Sequence, residues 1–363
     1  MHRLTVLALA CGLSGALSCG SGTVAPPASL VGRFDLFWET FDAQYSYFAY
    51  KAINWDSLRA VYRPAAAAAK NQDELITILK QMVAPLRDVH VNFRTPSGAL
   101  QPSFQPVTRM NWNRDIWLEV IKPCLFHHLK PNLGTCRMGG GGIGYIAIAS
   151  WDPSMLSTSY LDVVIDQFRN TPGIIIDVRP NGGGDDALAL ALAGRFAKRR
   201  TTIGFVRFRD GRRHDDFSGE IAREVSPRGA FQFTQPVVVL AGRGVYSSSE
   251  TFIAAMRELP NVVILGDTTG GGSGNPRTFP FGDGWTCSVS RWIEWTADRR
   301  VIEWQGIPPD VFVAWDSVAV SHNRDPVLEA AVARLGATNA AITQAFAARV
   351  RELPRLVERP GRR

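Results

Sequence analysis

The sequence lacks several features that would assign its class at once. Beyond the N-terminus, no run of apolar residues approaches the ~20 needed to span a bilayer, which argues against membrane-spanning helices in the body of the chain. It has only five Cys and no Cys-x-x-Cys pair, so neither a zinc site nor a dithiol redox centre is predicted. A Gly-x-x-x-x-Gly-Lys-Ser/Thr phosphate loop is absent, and no internal repeat is evident.

What the sequence does contain is typical of a globular protein. Hydrophobic residues make up 45% of its 363 residues, which rules out wholesale disorder, and this length corresponds to roughly two domains. The formal net charge of +7 is concentrated at the C-terminus, where residues 349–363 hold six Arg and two Glu. A basic tail of this kind is typical of a solvated chain end, so nucleic-acid binding is not predicted.

The first 19 residues have the pattern of an export signal. Arg3 precedes an apolar stretch over residues 4–17, and small residues follow. The Ala-Leu-Ser-Cys sequence that ends at Cys19 is similar to a bacterial lipoprotein cleavage site, although Ala16 stands where Leu is usual. Lipidation of Cys19 and plain secretion both stay open, with the lipoprotein favoured, and residues 20–32 then form a linker. The predicted location is the cell envelope, periplasmic with a lipid tether to the membrane, or secreted.

Apolar periodicity predicts a small helical domain over residues 33–95. Its first helix carries an aromatic stripe at helical spacing, formed by Phe34, Phe37, Trp38, Phe41, Tyr45 and Phe48. A second helix is expected from about residue 71 to 86, where Asn71 and Glu74 resemble a capping box. An aromatic stripe of this spacing is typical of core packing, so no ligand platform is assigned to it.

Residues 96–142 look irregular and are interpreted as a connector. The glycines within 139–144 formally contain Gly-x-Gly-x-x-Gly, but a dinucleotide loop must follow a strand and open a helix. This one precedes a strand, so no dinucleotide cofactor is expected. In an exported chain Cys124 and Cys136 are the natural disulfide pair, which leaves Cys287 odd.

Strands and helices alternate over residues 143–337, which predicts a mixed α/β core. Strands are expected at 144–149, 173–178, 202–208, 236–241 and 262–266, with shorter ones at 285–295, 301–304 and 311–314. Helices are expected near 156–168, 185–196, 248–258 and 325–335. Residues 338–363 are assigned to a C-terminal helix and the basic tail.

The first segment that carries chemistry is residues 236–250. A buried strand runs into a glycine turn and then into a helix that begins at Ser247, Ser248 and Ser249. A hydroxyl at a helix N-terminus, beside free N–H groups, suits a serine nucleophile with a backbone oxyanion hole. Ser is also a favoured N-cap residue, and on this segment alone capping is the commoner role.

Two further segments complete the set. Residues 177–184, Asp-Val-Arg-Pro-Asn-Gly-Gly-Gly, follow a buried strand, and three consecutive Gly allow unusual φ values and close approach to a substrate oxygen. A plain turn is the alternative, but it needs one Gly more often than three. Residues 86–90, Leu-Arg-Asp-Val-His, close the helical domain. A lone His after a helix is usually structural, and only the combination with the other segments makes His90 a candidate.

Together these segments resemble the tail-specific, C-terminal-processing serine peptidases, relatives of the tricorn protease core and of interphotoreceptor retinoid-binding protein. The matching motifs are Asp-x-Arg-x-Asn-Gly-Gly-Gly at 177–184, Ser-x-x-Glu at 247–250, Leu-Gly-Asp-Thr-Thr-Gly-Gly at 265–271 and Gly-Ile-Pro-Pro-Asp-Val at 306–311. The resemblance implies a serine peptidase with a crotonase-like (ClpP/crotonase-type) mixed α/β core. Such an enzyme acts on peptides or proteins and needs neither a metal nor an organic cofactor.

The resemblance also implies roles for individual residues. Ser247 is the expected nucleophile, with the N–H groups of Ser248 and Gly183 as the oxyanion hole. His90 falls where the tricorn-like branch places its general base. Glu303, shortly before the Gly-x-x-Pro-Asp motif, is expected to orient or polarise the Ser–His pair, and a plain strand-edge charge is the alternative.

Two departures from the family narrow this expectation. Bacterial processing proteases place a Lys base in a segment that here reads Thr-Gly-Gly-Gly-Ser, residues 269–273, so a Ser–Lys dyad is not expected. Too few residues separate the helical domain from the core for a PDZ domain, so the chain resembles a PDZ-less, His-base form. A non-catalytic carrier on the same fold and an envelope esterase or amidase stay open as alternatives. The sequence makes no prediction of the oligomeric state.

Overall fold

The computed structural model describes residues 29–106, 109–124, 126–138 and 142–336, together with the backbone of one short strand, Val357–Glu358. The expected export signal with Cys19 lies outside the described residues. So do the glycines at 139–141 and nearly all of the basic tail.

Seven of the nine helices in the described part begin at residues whose side chains satisfy free N–H groups. A side-chain oxygen of Ser29, Asn54, Asn71, Asn113, Ser157, Asp185 or Asp316 accepts an N–H of the following first turn. The helices are α1 (Leu30–Gln44), α2 (Trp55–Ala68), α3 (Gln72–Val83), α4 (Arg114–Ile121), α5 (Thr158–Gln167), α6 (Asp186–Ala193), α7 (Ser248–Arg257), α8 (Ser317–Ser321) and α9 (Pro326–Gly336). Short 3₁₀ turns follow α3 and α4 at Ala84–Leu86 and Lys122–Cys124.

The strands form three sheets. They are β1 (Asn92–Arg94), β2 (Leu100–Pro102), β3 (His127–Lys130), β4 (Leu133–Met138), β5 (Ile143–Ile148), β6 (Ile174–Asp177), β7 (Thr201–Phe208), β8 (Ile221–Val225), β9 (Val237–Ala241), β10 (Val262–Gly266), β11 (Arg277–Pro280), β12 (Thr286–Val289), β13 (Trp292–Thr296), β14 (Val311–Phe312) and β15 (Val357–Glu358). The largest sheet has the order β15-β14-β10-β9-β6-β5-β4-β3. Smaller sheets have the orders β11-β12-β1-β2 and β13-β7-β8.

The centre of the large sheet is parallel and buried on both faces. Strands β5, β6, β9, β10 and β14 run parallel to one another, whereas β3, β4 and β5 pair antiparallel. Alternate side chains of β6 point to opposite faces, so Ile174 and Ile176 pack with α5, α6 and α7 while Ile175 packs with α4 and α9. This arrangement brings the carboxyl ends of β6 and β9 to one edge, where ligands bind in open α/β sheets.

The N-terminal helices share a second core with the small sheet. The predicted aromatic stripe is buried and packs with Phe281, Trp285 and Val289. Helix α1 ends at Gln44, however, so the last two aromatic residues of the stripe lie in the turn that follows it. Helix α2 was missed because its alanine-rich second half has no apolar period and contains Pro64.

Two sequence interpretations are corrected by the structure. Residues 96–142 are not irregular: they contain α4 and strands β2 to β4, and β4 extends the large sheet beside β5. The strand expected at 301–304 is a turn, with only an isolated bridge between Val301 and Trp295, because Trp304 adopts a positive φ of 67°. The predicted Cys124–Cys136 disulfide is confirmed, and Cys287 is buried as a free thiol.

Candidate active site

The three serines at the start of α7 have different environments. Ser248 Oγ donates to the carbonyl of Gly184 at 2.7 Å, and Ser249 Oγ accepts from the indole N–H of Trp151 at 2.9 Å. Ser247 occupies the N-cap position but makes no side-chain cap hydrogen bond. Ser247 is therefore the serine whose hydroxyl is left available for chemistry.

The backbone of Ser247 is strained. Its φ of 54° and ψ of −127° lie outside the regions that L-residues favour, and such strain costs roughly 1–3 kcal/mol unless the surroundings hold it. The Ser247 N–H donates to the carbonyl of Gly272 at 2.9 Å, and the N–H of Glu250 donates back to the Ser247 carbonyl at 2.7 Å. The next N–H, that of Ser248, has no backbone acceptor among the described residues, so the helix N-terminus presents a free donor beside the hydroxyl.

The triple-glycine loop lies directly against this serine. Gly183 has a φ of +118°, and a Cβ built on it would lie 2.8 Å from the Cβ of Ser247. Any side chain at this position would therefore collide with the candidate nucleophile. The Gly183 N–H, expected as an oxyanion donor, donates to Asn181 Oδ1 at 2.9 Å. The Asn181 Nδ2 group is buried and has no hydrogen-bond partner.

A buried ion-pair triad holds the base of the same loop. The Arg179 guanidinium binds both carboxylate oxygens of Asp177 and both of Asp325, at distances between 2.7 and 3.0 Å. It also donates to the carbonyl of Asn111 at 3.0 Å. Because planar bidentate pairs fix orientation, the Asp-x-Arg part of the motif positions the glycines that follow it.

Glu250 holds the loop of residues 269–272, to which the Ser247 N–H is hydrogen-bonded. Its buried carboxylate accepts the N–H groups of Gly271 and Gly272 at 2.9 and 2.8 Å, and it also binds the hydroxyl of Thr269. Burial raises the pKa of Glu250 to about 7, although these hydrogen bonds favour its charged form. The Glu of the Ser-x-x-Glu motif thus shapes the segment to which Ser247 is hydrogen-bonded.

His90 follows Val89, whose side chain lies close to the same segment. The side chain of Val89 would lie 2.6 Å from a Cβ on Gly272, and the carbonyl of Gly272 accepts the N–H of Ser247. The His90 N–H donates to Asp88 Oδ1 at 2.9 Å, while its ring atom Nδ1 is buried without a hydrogen-bond partner. Burial lowers the pKa of His90, opposed by the Asp88 carboxylate and reinforced by the Lys51 cation. The neutral imidazole that a general base requires is therefore favoured.

Glu303 is buried at the junction between the helical region and the core. Its Oε1 lies 2.5 Å from Lys51 Nζ, and its Oε2 accepts the N–H of Ser273 at 3.0 Å. Burial and the nearby Asp88 raise the pKa of Glu303 well above its usual range, against the opposing effect of Lys51. These contacts connect Glu303 to the loop and to Lys51, and the role expected for it toward Ser247 and His90 stays a prediction.

Sequence reasoning missed Lys51 and the role of Asp88. Lys51 follows α1 in a turn with no motif around it, and its only signal is a Lys directly after a run of aromatic residues. Asp88 stands two residues before His90, in a position where its carboxylate reaches the His90 backbone. The two-residue spacing of Asp88 and His90 is the sequence feature from which this contact could have been predicted.

A cavity of about 460 Å³ opens beside the candidate nucleophile. Its walls come from the serine loop, the triple-glycine loop, residues 273–276 and β13. The lining residues include Ser247, Ser248, Gly184, Asp186, Trp292 and Glu294. Arg223 binds both Asp186 and Glu294 at the edge of this cavity.

Among the described residues, His, Cys, Asp and Glu do not gather into a group of three that could hold a metal ion. None of the described helices combines the length and hydropathy of a transmembrane span.

The chain is similar to known peptidases in two regions. Residues 142–313 match the family model of peptidase family S41, and residues 26–84 match that of the tricorn protease C1 domain. The part of the chain that carries Ser247 and the triple-glycine loop is thus similar to the S41 peptidases. The S41 match contains Ser247, the triple-glycine loop and Glu303, whereas His90 falls just beyond the C1 match.

Individual relatives cover different shares of the chain. The carboxy-terminal processing protease CtpA of Bacillus subtilis is 31% identical over 179 residues, which are 48% of this chain and 36% of CtpA. A candidate peptidase from Parabacteroides merdae has a crystal structure that is 29% identical, with a TM-score of 0.77, over 86% of this chain and 98% of that one. Mature CPAF is 13% identical with a TM-score of 0.65, over 87% and 99% of the two chains, and thus shares the fold. The chain spans little more than a third of the CtpA length.

Proposed function

We propose that this chain is an exported serine peptidase of the S41 type, with Ser247 as nucleophile and His90 as general base. His90 takes the proton of the Ser247 hydroxyl as Oγ attacks the carbonyl carbon of a substrate peptide bond. His90 then returns that proton to the leaving amine, which produces an acyl-enzyme and a released peptide. Water, deprotonated by the same imidazole, attacks the acyl-enzyme and regenerates Ser247. No cofactor is required for this sequence of steps.

The oxyanion hole is the second part of the proposal. The free N–H of Ser248 at the start of α7 supplies one donor. The N–H of Gly183 supplies the other once it exchanges its acceptor, Asn181 Oδ1, for the substrate oxygen. Glu303 supports the pair from behind, through Lys51 and through the Ser273 N–H. The core is proposed to be of the crotonase-like type.

The proposed location is the cell envelope. The predicted export signal supports it, and so does the Cys124–Cys136 disulfide, since such bonds persist in oxidising compartments. Lipidation of Cys19 tethers the chain to the membrane in this proposal. The substrates are peptides or proteins that reach the cavity beside Ser247 in an extended conformation.

One observation carries the proposal. At the start of α7 the two neighbouring hydroxyls are engaged, whereas that of Ser247 is free, strained and next to an unoccupied backbone donor. A structural serine at an N-cap would instead accept an N–H of its own helix. A non-catalytic carrier protein has no use for a strained serine backbone at this position.

The test is hydrolysis of a peptide library by the purified mature chain, followed by mass spectrometry. The expected result is cleavage by the wild-type protein, with at least a roughly thousandfold lower rate in S247A and H90A. S249A, whose hydroxyl binds Trp151, is the matched control and should keep most of the activity. Hydrolysis of esters but not peptides would favour the esterase, and binding of an apolar ligand without any hydrolysis would favour the carrier.

A further inference from the structure

A cluster of buried charges lies behind His90, where the helical region meets the core. It consists of Lys51 from the turn after α1, Asp88 from the turn after α3, and Glu303 from the turn after β13. All three side chains are at most 1% exposed. Burying charges is costly unless they are paired, so the cluster needs an explanation beyond surface electrostatics.

Lys51 is the centre of this cluster. Its Nζ lies 2.5 Å from Glu303 Oε1, 2.8 Å from the carbonyl of Leu86 and 3.8 Å from Asp88 Oδ2. The rings of Tyr45, Tyr47 and Trp304 surround the ammonium group at 4.8 to 5.7 Å from their centroids. The cation is therefore fixed between two carboxylates and shielded from water.

Asp88 is the carboxylate that faces His90. Its Oδ1 accepts the His90 N–H and lies 3.8 Å from the His90 ring atom Nδ1, while its Oδ2 accepts the Tyr45 hydroxyl at 3.1 Å. The buried Nδ1 has no hydrogen-bond partner, so an approach of roughly 1 Å would satisfy both groups. Catalytic hydrogen bonds are often long in an unliganded site and shorten when substrate binds.

We propose that Asp88 is the positioning residue that holds the His90 imidazole as the Nδ1–H tautomer, and that Lys51 anchors Asp88 and counteracts its charge. The catalytic meaning of this inference rests on the proposed peptidase function, but the tautomer itself does not. A proton on Nδ1 leaves Nε2 as the free base that faces the reaction. Asp88 would thus have the role that the sequence analysis expected of Glu303.

The engagement of Glu303 supports this assignment. One of its oxygens binds Lys51 and the other accepts the Ser273 N–H, so both are engaged by groups other than the imidazole. The charged groups at the junction are Asp88, Lys51, Glu303 and Arg87, whose guanidinium lies over the ring of Trp304. Of these, Asp88 and Lys51 act on the charge of His90, in opposite directions.

The opposite signs give a sharp test. Removing the Asp88 charge takes away a stabiliser of the imidazolium, so the pKa of His90 should fall. Removing the Lys51 charge takes away a repulsion, so the pKa of His90 should rise. Shifts of opposite sign show that both charges act on the imidazole, and the tautomer of the neutral ring shows whether Asp88 orients it.

The experiment is a ¹⁵N NMR titration of the histidines in the full mature chain, with the His90 signals assigned by their loss in H90Q. In the wild type we expect the Nδ1–H tautomer to dominate when the ring is neutral. In D88N, which keeps the size of the side chain, we expect loss of that preference and a lower pKa. The double variant K51M/E303Q removes an ion pair as a unit, which limits unfolding, and should raise the pKa.

A wild-type ring protonated mainly on Nε2, or a His90 unchanged in D88N, would overturn the proposal. Shifts in the same direction in D88N and K51M/E303Q would do so as well. If D88N does not fold, the tautomer of His90 in the wild type and the pKa of His90 in K51M/E303Q still test the proposal.

Kinetics separates this inference from the proposed function. The rate of labelling by a fluorophosphonate serine probe should follow the neutral fraction of His90 and should fall at least tenfold in D88N. In a plot of labelling rate against pH, the acid limb should move to lower pH in D88N and to higher pH in K51M/E303Q. Failure of the wild type to react would contradict the peptidase, while the NMR titration would still decide the role of Asp88.

Discussion

The serine side and the histidine side of the candidate site are built by different means. Around Ser247 the groups that matter are backbone N–H and carbonyl groups of two loops, and the hydroxyl makes no side-chain cap hydrogen bond. Around His90 they are charged side chains, namely Asp88 from the same segment and Lys51 and Glu303 from two distant ones. The serine side depends on loop conformation and glycine, whereas the histidine side depends on the balance of buried charges.

This difference predicts which substitutions each side tolerates. A loop that works through its backbone should be sensitive to added side-chain atoms and to the groups that hold its N–H groups, such as the Glu250 carboxylate. A buried charge cluster should be sensitive to the loss of one member and much less sensitive to the loss of a neutral pair.

The largest effect is expected from K51M on the histidine side. It leaves Glu303 and Asp88 buried without their cation, and the free energy of unfolding should fall by about 3–5 kcal/mol. Urea unfolding followed by tryptophan fluorescence measures it, and K70M at an exposed position is the matched control. The double variant K51M/E303Q should recover much of the loss. A K51M effect as small as that of K70M would contradict a structural role for the ion pair.

The second effect is a pH dependence on the serine side, caused by Glu250. Because burial raises its pKa to about 7, the folded state binds the proton more tightly than the unfolded chain does. The contribution of Glu250 to stability is therefore complete below about pH 4.5 and is lost as the pH rises to about 7, by up to roughly 3 kcal/mol.

In E250Q this part of the pH dependence should disappear. Urea unfolding of both proteins between pH 5 and 8 gives the difference curve, in which other titrating groups cancel. Parallel curves over that range would show that the Glu250 carboxyl is already ionised at pH 5.

The third effect compares two neighbouring glycines. G183A should destabilise the fold by about 2 kcal/mol and should slow the reaction of Ser247, because its Cβ meets that side chain at a φ of +118°. G182A should be tolerated, since a Cβ there has nothing within 4 Å. Thermal unfolding and probe-labelling rates measure both. Equal effects of the two substitutions would contradict the backbone-built picture of this side.

The serine side is the part of the candidate site that could be predicted from the sequence. Helices α1, α3, α5, α6, α7 and α9, the parallel strands and the serine loop follow local rules of capping, periodicity and glycine usage, and the structure confirms these elements. Ser247, Ser248 and Gly183 come from two short contiguous motifs at the ends of β6 and β9, so their proximity follows from the order of the sheet.

The histidine side could not be predicted in this way. Lys51 meets Glu303 only because the turn after α1 packs against the turn after β13, and no local pattern encodes that contact. The free rather than capping state of Ser247 and the engagement of the Gly183 N–H by Asn181 also depend on tertiary geometry. The sheet strands within 96–142 were missed because their alternation is short and interrupted by Pro, Asn and Gly.

The decisive measurement is the site at which a fluorophosphonate reacts with the folded wild-type chain, read by tandem mass spectrometry of the tryptic peptide 244–257. This peptide contains all three serines of the α7 start. The account predicts one adduct per chain, on Ser247, with Ser248 and Ser249 unmodified. An adduct on either neighbour, or a folded chain that stays unlabelled across the neutral pH range, would contradict it.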